Sequence, residues 1–161
     1  MAVDMFLKLD GIQGEAQDAK HKNEIDILSF SWGAANQAYG HVGGGSGIGK
    51  VNVADLSITK YVDKSSPSLF LNCCNGNHVA NAVFVIRKSG KDPLEYYTVK
   101  MAEVFISSIQ WADAGSSERL IESVTLNFSK VNIEYKEQNP DGKAGPSSKV
   151  GWNIATNAEA A

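Results

Sequence analysis

The sequence predicts an all-β, mainly antiparallel fold with one short α-helix packed on its side. Most of the patterned stretches alternate apolar and polar residues, which is typical of half-buried strands. Only one segment, 66–76, has its apolar residues at helical spacing. Three of the longer strand patterns also change phase partway along. Such changes indicate sheets that turn corners, as in barrels and orthogonal sandwiches.

The strands begin with residues 5–9, which alternate regularly and are followed by a polar, glycine-containing loop over 10–23. The second strand, 24–32, is apolar first at odd positions and then at even ones. The same switch occurs within 51–58 and within 124–135. Because a shift of one residue moves every side chain to the other face, each switch requires a bulge or a bend.

The helix is predicted mainly from its two ends. Ser66 is expected to be the N-cap, because its hydroxyl can accept a hydrogen bond from the first turn, and Pro67 suits the first helical position. Gly76 suits the left-handed conformation that ends many helices. The apolar stripe expected to face the sheet consists of Leu69, Phe70, Cys73 and Cys74.

The second half of the chain predicts a long hairpin. Residues 94–111 keep apolar side chains at odd positions, and residues 120–135 are expected to pair with them. The remaining segments are expected to form strands at 80–88 and 150–154, a loop over 136–149 and a frayed terminus at 157–161.

Length and composition indicate one globular domain over residues 1–161. The hydrophobic fraction of 43% and the charged fraction of 20% are ordinary for such a domain. The net charge of −3 argues against nucleic-acid binding driven by phosphate neutralisation. No apolar run approaches the length of a membrane span, and the N-terminus lacks the features of a signal peptide. Neither a nucleic-acid partner nor membrane insertion is therefore expected.

The sequence predicts no catalytic residues, no cofactor and no metal site. Segment 44–50 has the glycine spacing of a phosphate loop, but Val51 stands where a magnesium-binding Ser or Thr is needed, and a strand pattern follows instead of a helix. The three histidines, His21, His41 and His78, are expected to fix loops or cap the helix rather than act as bases or ligands. The expected class of protein is therefore not an enzyme.

Several acidic residues and the tryptophans are also expected to have structural places. The carboxylates alternate with apolar neighbours and are expected on solvated strand faces, whereas the tryptophans are expected mainly in the core. These residues are Asp4, Glu24, Asp26, Asp55 and Glu122, and Trp32, Trp111 and Trp152.

The segment 36–50, NQAYGHVGGGSGIGK, does not fit a compact domain. It contains six glycines and few residues able to anchor it to a core. Ordering it on an isolated monomer is costly in conformational entropy. A partner is therefore expected to hold this segment.

Motifs in a specific order extend along residues 5–157. They are FLKL at 6–9, GIQGE at 11–15, His21, EID at 24–26, SWG at 31–33, DLSITK at 55–60, DKSSP at 63–67, CCNGNH at 73–78, SSI at 107–109, ESVTLNF at 122–128, Tyr135 and GWN at 151–153. Together they resemble the haemolysin-coregulated protein (Hcp) family. Its members are the tube protein of the type VI secretion system, a contractile injection machine of Gram-negative bacteria.

The resemblance implies a β-barrel of two sheets with a helix on one side, similar to phage tail-tube proteins. It implies homohexameric rings that stack into a tube, with a spike protein at the tip and a contractile sheath around it. It also implies that the ring channel carries and protects small effector proteins. The chain would be made in the cytoplasm and secreted without a signal peptide through the type VI system, to the extracellular space or a target cell.

The resemblance also implies two sets of functional residues. In the family the loop corresponding to segment 36–50 contacts a neighbouring ring, and a channel that releases its cargo is expected to be polar. The ring-stacking residues expected here are Tyr39, His41, Gly43, Gly44, Gly45, Ser46, Gly47 and Lys50. The expected channel-lining residues are Ser29, Ser31, Ser116 and Ser117, with exposed serines on an outer surface as the alternative.

Two functions from other classes remain open on the sequence alone. A stand-alone β-barrel could bind a small ligand or glycan through the tryptophans, which requires a monomer with an accessible aromatic cleft. An enzyme using segment 44–50 would require stabilisation by phosphate that depends on Lys50.

Overall fold

The computed structural model describes residues 3–39, 47–113, 115 and 118–160. Within these ranges the chain forms one helix and a set of mostly long antiparallel strands. The elements are β1 Val3–Leu9, β2 Ile25–Asp26, β3 Ser29–Ser31, β4 Ala34–Tyr39, β5 Gly47–Val53, β6 Leu56–Tyr61, α1 Ser66–Asn75, β7 His78–Lys88, β8 Glu95–Ala112, β9 Ile121–Asn127, β10 Lys130–Gln138, β11 Ala144–Asn153 and β12 Ala158–Ala160.

The large sheet is wound around a shared core. Its main path runs β12-β11-β10-β8-β7-β1-β2, and β8 also pairs with β9, β9 with β6, and β6 with β3. Between β2 and β3, the N–H of Ile27 donates to the Met5 carbonyl at 3.0 Å and the N–H of Leu28 donates to the Thr59 carbonyl at 2.8 Å. The chain therefore crosses from β1 to β6 at this point, which brings the two ends of the sheet together as a barrel wall. Strands β4 and β5 form a second, two-stranded sheet.

The three predicted changes of strand phase are confirmed as breaks between consecutive strands. One separates β2 from β3, another separates β5 from β6, and the third separates β9 from β10. At each break the chain moves to a different partner or buries its other face. The corner-turning sheets inferred from the sequence are thus present, and the predicted all-β fold with one helix is confirmed.

Strand β8 differs from its prediction of one continuous apolar face. Val99 and Met101 are buried, but so are Val104 and Ile106, which have the opposite phase. Between the two pairs lies Glu103, whose φ of 54° is in the left-handed region. A residue in that conformation turns the strand, so the buried face changes within β8.

The helix has its predicted C-terminus but not its predicted N-cap. Gly76, with φ 71°, ends α1, and its N–H donates to the Asn72 carbonyl at 3.0 Å. The N-cap is Ser65, and Ser66 is the first helical residue. Ser66 fails as a cap because its hydroxyl instead accepts from the Asp63 N–H and donates to Glu122. Of the predicted stripe, Leu69 is buried, Cys73 is half-buried, and Phe70 and Cys74 are exposed.

Several segments expected to be irregular are strands. The predicted loop at 136–149 is a hairpin of β10 and β11 with a short turn at 139–143. In the expected frayed terminus, β12 pairs with residues 151–153 of β11. The glycine-rich segment 36–50 lies mostly in the β4–β5 hairpin, with residues 40–46 outside the described residues.

The core lies inside the barrel and includes aliphatic residues from most of its strands. One acidic residue was misplaced by the sequence pattern: Glu122, expected on a solvated face, is fully buried beside the fully buried Lys60. The largest apolar side chains of the core include Leu7, Ile25, Leu56, Ile58, Leu69, Phe84, Met101, Ile106 and Leu126.

Candidate functional site

Four neighbouring strands share one face covered with hydroxyl groups. In β3–β6–β9–β8, the register places Ser31, Ser57, Thr125 and Ser108 in one row across the strands. The next row contains Ser29, Thr59, Ser123 and Gln110. We call these eight residues the hydroxyl face.

The hydroxyl face exists because each strand alternates polar and apolar residues in step with its neighbours. Between the hydroxyls of β6 and β9 stand Ile58 and Val124, which are paired with each other and are fully buried on the opposite side. A strand whose alternate residues are buried must turn the others outward. The fold therefore directs these short polar side chains away from the core.

Hydrogen bonds hold part of the hydroxyl face and its margin in place. Ser108 and Thr125 share a hydrogen bond at 2.6 Å, and Ser107 also contacts the Thr125 hydroxyl at 2.6 Å. At the margin, Asp55 accepts from Ser107 at 2.7 Å and from the Asn127 amide at 2.8 Å. These contacts link β6, β8 and β9 through side chains as well as through the sheet.

The chemistry of the hydroxyl face favours weak, hydrated contact over tight binding. None of its eight residues is charged, so no strong ion pair can form there. Small hydroxyls keep water nearby and offer no large apolar area to a partner. No cluster of potential metal ligands is found among the residues that the structure describes.

The structure brings two of the four expected channel-lining serines onto this face. Ser29 and Ser31 are both exposed on β3, whereas Ser116 and Ser117 lie outside the described residues. Sequence reasoning missed the hydroxyls of β6 and β9, although both strands show the alternation in LSIT and SVTL. Only the register, which sequence does not give, shows that these serines and threonines lie side by side.

The residues expected in ring stacking belong to the projecting hairpin. Tyr39 ends β4, Gly47 begins β5 opposite it, and Lys50 lies further along β5 and is exposed. His41, Gly43, Gly44, Gly45 and Ser46 fall outside the described residues. The hairpin continues the direction of β3 and β6, since the Ala54 N–H donates to the Gly33 carbonyl at 2.9 Å.

His21 has a structural environment, as its sequence context indicated. Its ring is buried against Phe6, at 4.5 Å between centroids, and its two nitrogens contact Glu24 and Glu95. Nearby, Asp18 contacts the guanidinium of Arg87, whose hydrogen bond is the main cause that lowers the pKa of Asp18 from 3.8 to about 2.

The cluster around His21 therefore fixes the loop over residues 10–24 onto the sheet. It joins the loop to β8 through Glu95 and to β7 through Arg87. Every ionisable partner in it is engaged with another side chain of the chain, which is the arrangement of a loop anchor.

The tryptophans do not form one aromatic platform. The Trp32 indole donates to the Ala54 carbonyl at 2.7 Å, and the Trp111 indole donates to Glu122 at 2.8 Å. Trp111 is 48% exposed, contrary to its expected place in the core, and it packs on Phe70. Trp152 lies on β11, opposite Val131. Among the described residues, no helix is long and apolar enough to cross a membrane.

Comparisons with known proteins give a consistent answer over the whole chain. A family model described as "Type VI secretion system effector, Hcp" matches residues 6–135. The chain is 47% identical to Protein hcp1 of Pseudomonas aeruginosa over 162 residues, covering 99% of this chain and 100% of that protein.

Solved structures show the same similarity in three dimensions. One, described as a type six secretion system protein, superposes with a TM-score of 0.93 at 32% identity, covering 99% of this chain and 100% of the other. The crystal structure of Hcp1 from Salmonella typhimurium gives a TM-score of 0.81 at 35% identity, again covering 99% and 100%. Both matches include all the strands described above.

Proposed function

Because this chain belongs to the Hcp family of type VI secretion proteins, we propose that it is the structural subunit of the inner tube of that system. Six copies form a ring with an open channel, and rings stack into a tube that carries a spike protein at its tip. Contraction of the surrounding sheath expels the tube. The protein acts as a structural element and carrier, not as an enzyme, and it leaves the cytoplasm with the tube.

The observation that best supports a channel is the hydroxyl face. It spans four strands, carries no charge and is backed by the apolar core. A surface of this kind lets a small effector protein lie against it without the strong ion pairs or large apolar contacts that would slow its release. We therefore assign this face to the channel, with Ser29 and Ser31 among its residues.

Replacing Ser31 with tyrosine tests the channel assignment. The bulky ring would disrupt the row formed with Ser57, so we expect rings of normal size that retain roughly tenfold less small protein, equivalent to about 1.4 kcal/mol of binding. The measurement is the amount of effector that co-purifies with the rings from producing cells. The control is Ser68→Tyr, which changes an exposed serine on α1. Equal cargo in both variants would place Ser31 outside the channel.

The projecting hairpin is the proposed stacking element. Its two strands pair only with each other in the sheet topology, and its tip spans the glycine-rich residues. A two-stranded ribbon is marginally stable alone, which favours a partner surface that holds it. The neighbouring ring supplies that surface in the proposed tube, as the sequence reasoning expected for Tyr39, Gly47 and Lys50.

Deleting residues 43–47 tests the role of the hairpin. The deletion shortens the ribbon without touching the barrel core, so single rings are expected to persist while stacks become short or absent. Electron micrographs of the purified chain distinguish the two species. Stacks of normal length from the shortened chain would show that the hairpin is not the stacking element.

A further inference from the structure

An open apolar cleft lies between the hairpin and the large sheet. Val51 and Val53 of β5 line one side, and Val131 and Ile133 of β10 line the other. We call this space, which has a volume of about 320 Å³, the hairpin cleft. None of its lining residues in the described part of the chain is charged.

The cleft also contains a buried hydrogen-bond donor without an acceptor. The indole nitrogen of Trp152 is inaccessible to solvent, and no acceptor contacts it in the described part of the chain. A buried N–H without a partner costs about 1–3 kcal/mol. The other two tryptophans each have an acceptor within the chain, so Trp152 is the exception in this respect.

These two features define the chemistry of a suitable occupant. It must be apolar, because an ionic group would lose its hydration among the valines and Ile133 without gaining a counter-charge. It must also offer at least one acceptor, such as a backbone carbonyl, to the indole of Trp152. A segment of a folded protein with an exposed turn or strand edge meets both requirements.

The occupant that fits best is another copy of the same chain. A concave cleft cannot dock with an identical cleft, so the contact must join it to a different, convex surface of the next copy. Such a contact repeats from copy to copy instead of closing a dimer. Moreover, Ala34 and Val51 of the cleft belong to the hairpin itself, so the cleft is continuous with the proposed stacking element.

We propose that the hairpin cleft is the docking site for the next copy in the stack, which supplies an acceptor to the Trp152 indole. This inference rests on the proposed tube function and adds the receiving surface to it. Docking removes the valine side chains from water and satisfies the Trp152 N–H. The hairpin is then held between its own sheet and the neighbouring copy.

Two substitutions in the cleft test the proposal, with a matched control. Trp152→Phe removes the N–H and keeps an aromatic ring, while Val51→Asp places a charge among the apolar side chains. Val3→Asp is the control, because Val3 is also a strand valine and is 44% exposed outside the cleft. Sedimentation velocity over a wide range of protein concentration measures single rings and stacks, and thermal melts verify the fold.

The expected result is that all three variants form single rings. Ring–ring association should be weaker by about tenfold or more for Trp152→Phe, because each ring repeats the lost contact several times. It should be abolished for Val51→Asp and unchanged for Val3→Asp. If Val51→Asp does not fold, Trp152→Phe decides the outcome.

Three results would overturn the inference. One is a folded Trp152→Phe protein that stacks like the wild type, and another is stacking by folded Val51→Asp rings. The third is wild-type rings that show no association at any concentration. In each case single rings still form, which separates this failure from failure of the proposed function, where the wild-type chain would not form rings at all.

Discussion

A single buried cluster of charges connects the helix to the barrel. Lys60 of β6 and Glu122 of β9 are fully buried and in contact, and Lys60 also lies 3.1 Å from Asp63. Glu122 accepts from the Ser66 hydroxyl at 2.9 Å and from the Trp111 indole at 2.8 Å. Buried ions are tolerated only when they are paired and hydrogen-bonded, which these contacts achieve.

Removing the cation of this cluster should be strongly destabilising. Lys60→Met leaves the carboxylates of Glu122 and Asp63 without their counter-ion, so we expect a loss of about 3–5 kcal/mol in the free energy of unfolding. Adding Glu122→Gln should recover part of that loss, because the second variant removes the unpaired buried charge. Urea unfolding of the single and double variants measures both values.

An exposed ion pair provides the control for Lys60→Met. Lys149 lies 3.5 Å from Glu134, and its side chain is 62% exposed. Lys149→Met should therefore cost less than about 1 kcal/mol. Comparable losses from the two lysine variants would mean that burial of the Lys60 cluster is not what makes it important.

At the residue scale the sequence predicted roles better than positions. His21 was expected to fix a loop, and it does so through Glu24 and Glu95. The alternation around Glu122 indicated exposure, but β9 is enclosed between β6 and β8, so its polar side chain had to find Lys60 in the interior. Pairing partners across strands depend on register, which a single sequence does not contain.

Among the elements, the β4–β5 hairpin depends on a close approach of its two strands. The register shifts between Asn36 and Ala38, so Gln37 is an extra residue in β4. A Cβ added at Gly49 would lie 2.2 Å from the Gln37 carbonyl oxygen. Glycine at position 49 is what lets the bulged strand lie against β5.

Gly49→Ala should therefore distort the hairpin while the barrel stays folded. The clash involves backbone, which cannot move aside cheaply, and we expect a local cost of about 1–3 kcal/mol. Hydrogen exchange of the β4 and β5 amides measures the loss of protection. Gly33→Ala is the matched control, because a Cβ there meets no heavy atom within 4 Å. Equal exchange in the two variants would contradict this account of Gly49.

The elements themselves were predicted where a strand has one buried face. The breaks between β2 and β3 and between β9 and β10 were visible as changes of phase, because one side of each strand packs on the core. The strand β12 and the first part of β11 were missed, since their residues are mostly exposed and carry little apolar alternation. Their structure comes from backbone pairing along the sheet, which leaves little trace in composition.

For the whole molecule, fold and family were predictable from the sequence, whereas assembly was not. The order of motifs from FLKL to GWN identifies the family, and the helix and the turns of the sheet follow from local patterns. No residue pattern counts the copies in a ring, and the surfaces that join copies are ordinary parts of one chain. The hydroxyl face and the hairpin cleft become visible only when strand register places their residues together.

The central claim is that this chain assembles into rings of six. Native mass spectrometry of the purified chain tests it most directly, because each chain has a mass of 17.3 kDa and the number of copies follows from the particle mass. The account predicts a dominant species of six chains in dilute buffer, with larger species at multiples of six as rings stack. A single chain that persists over a wide range of concentration would contradict it.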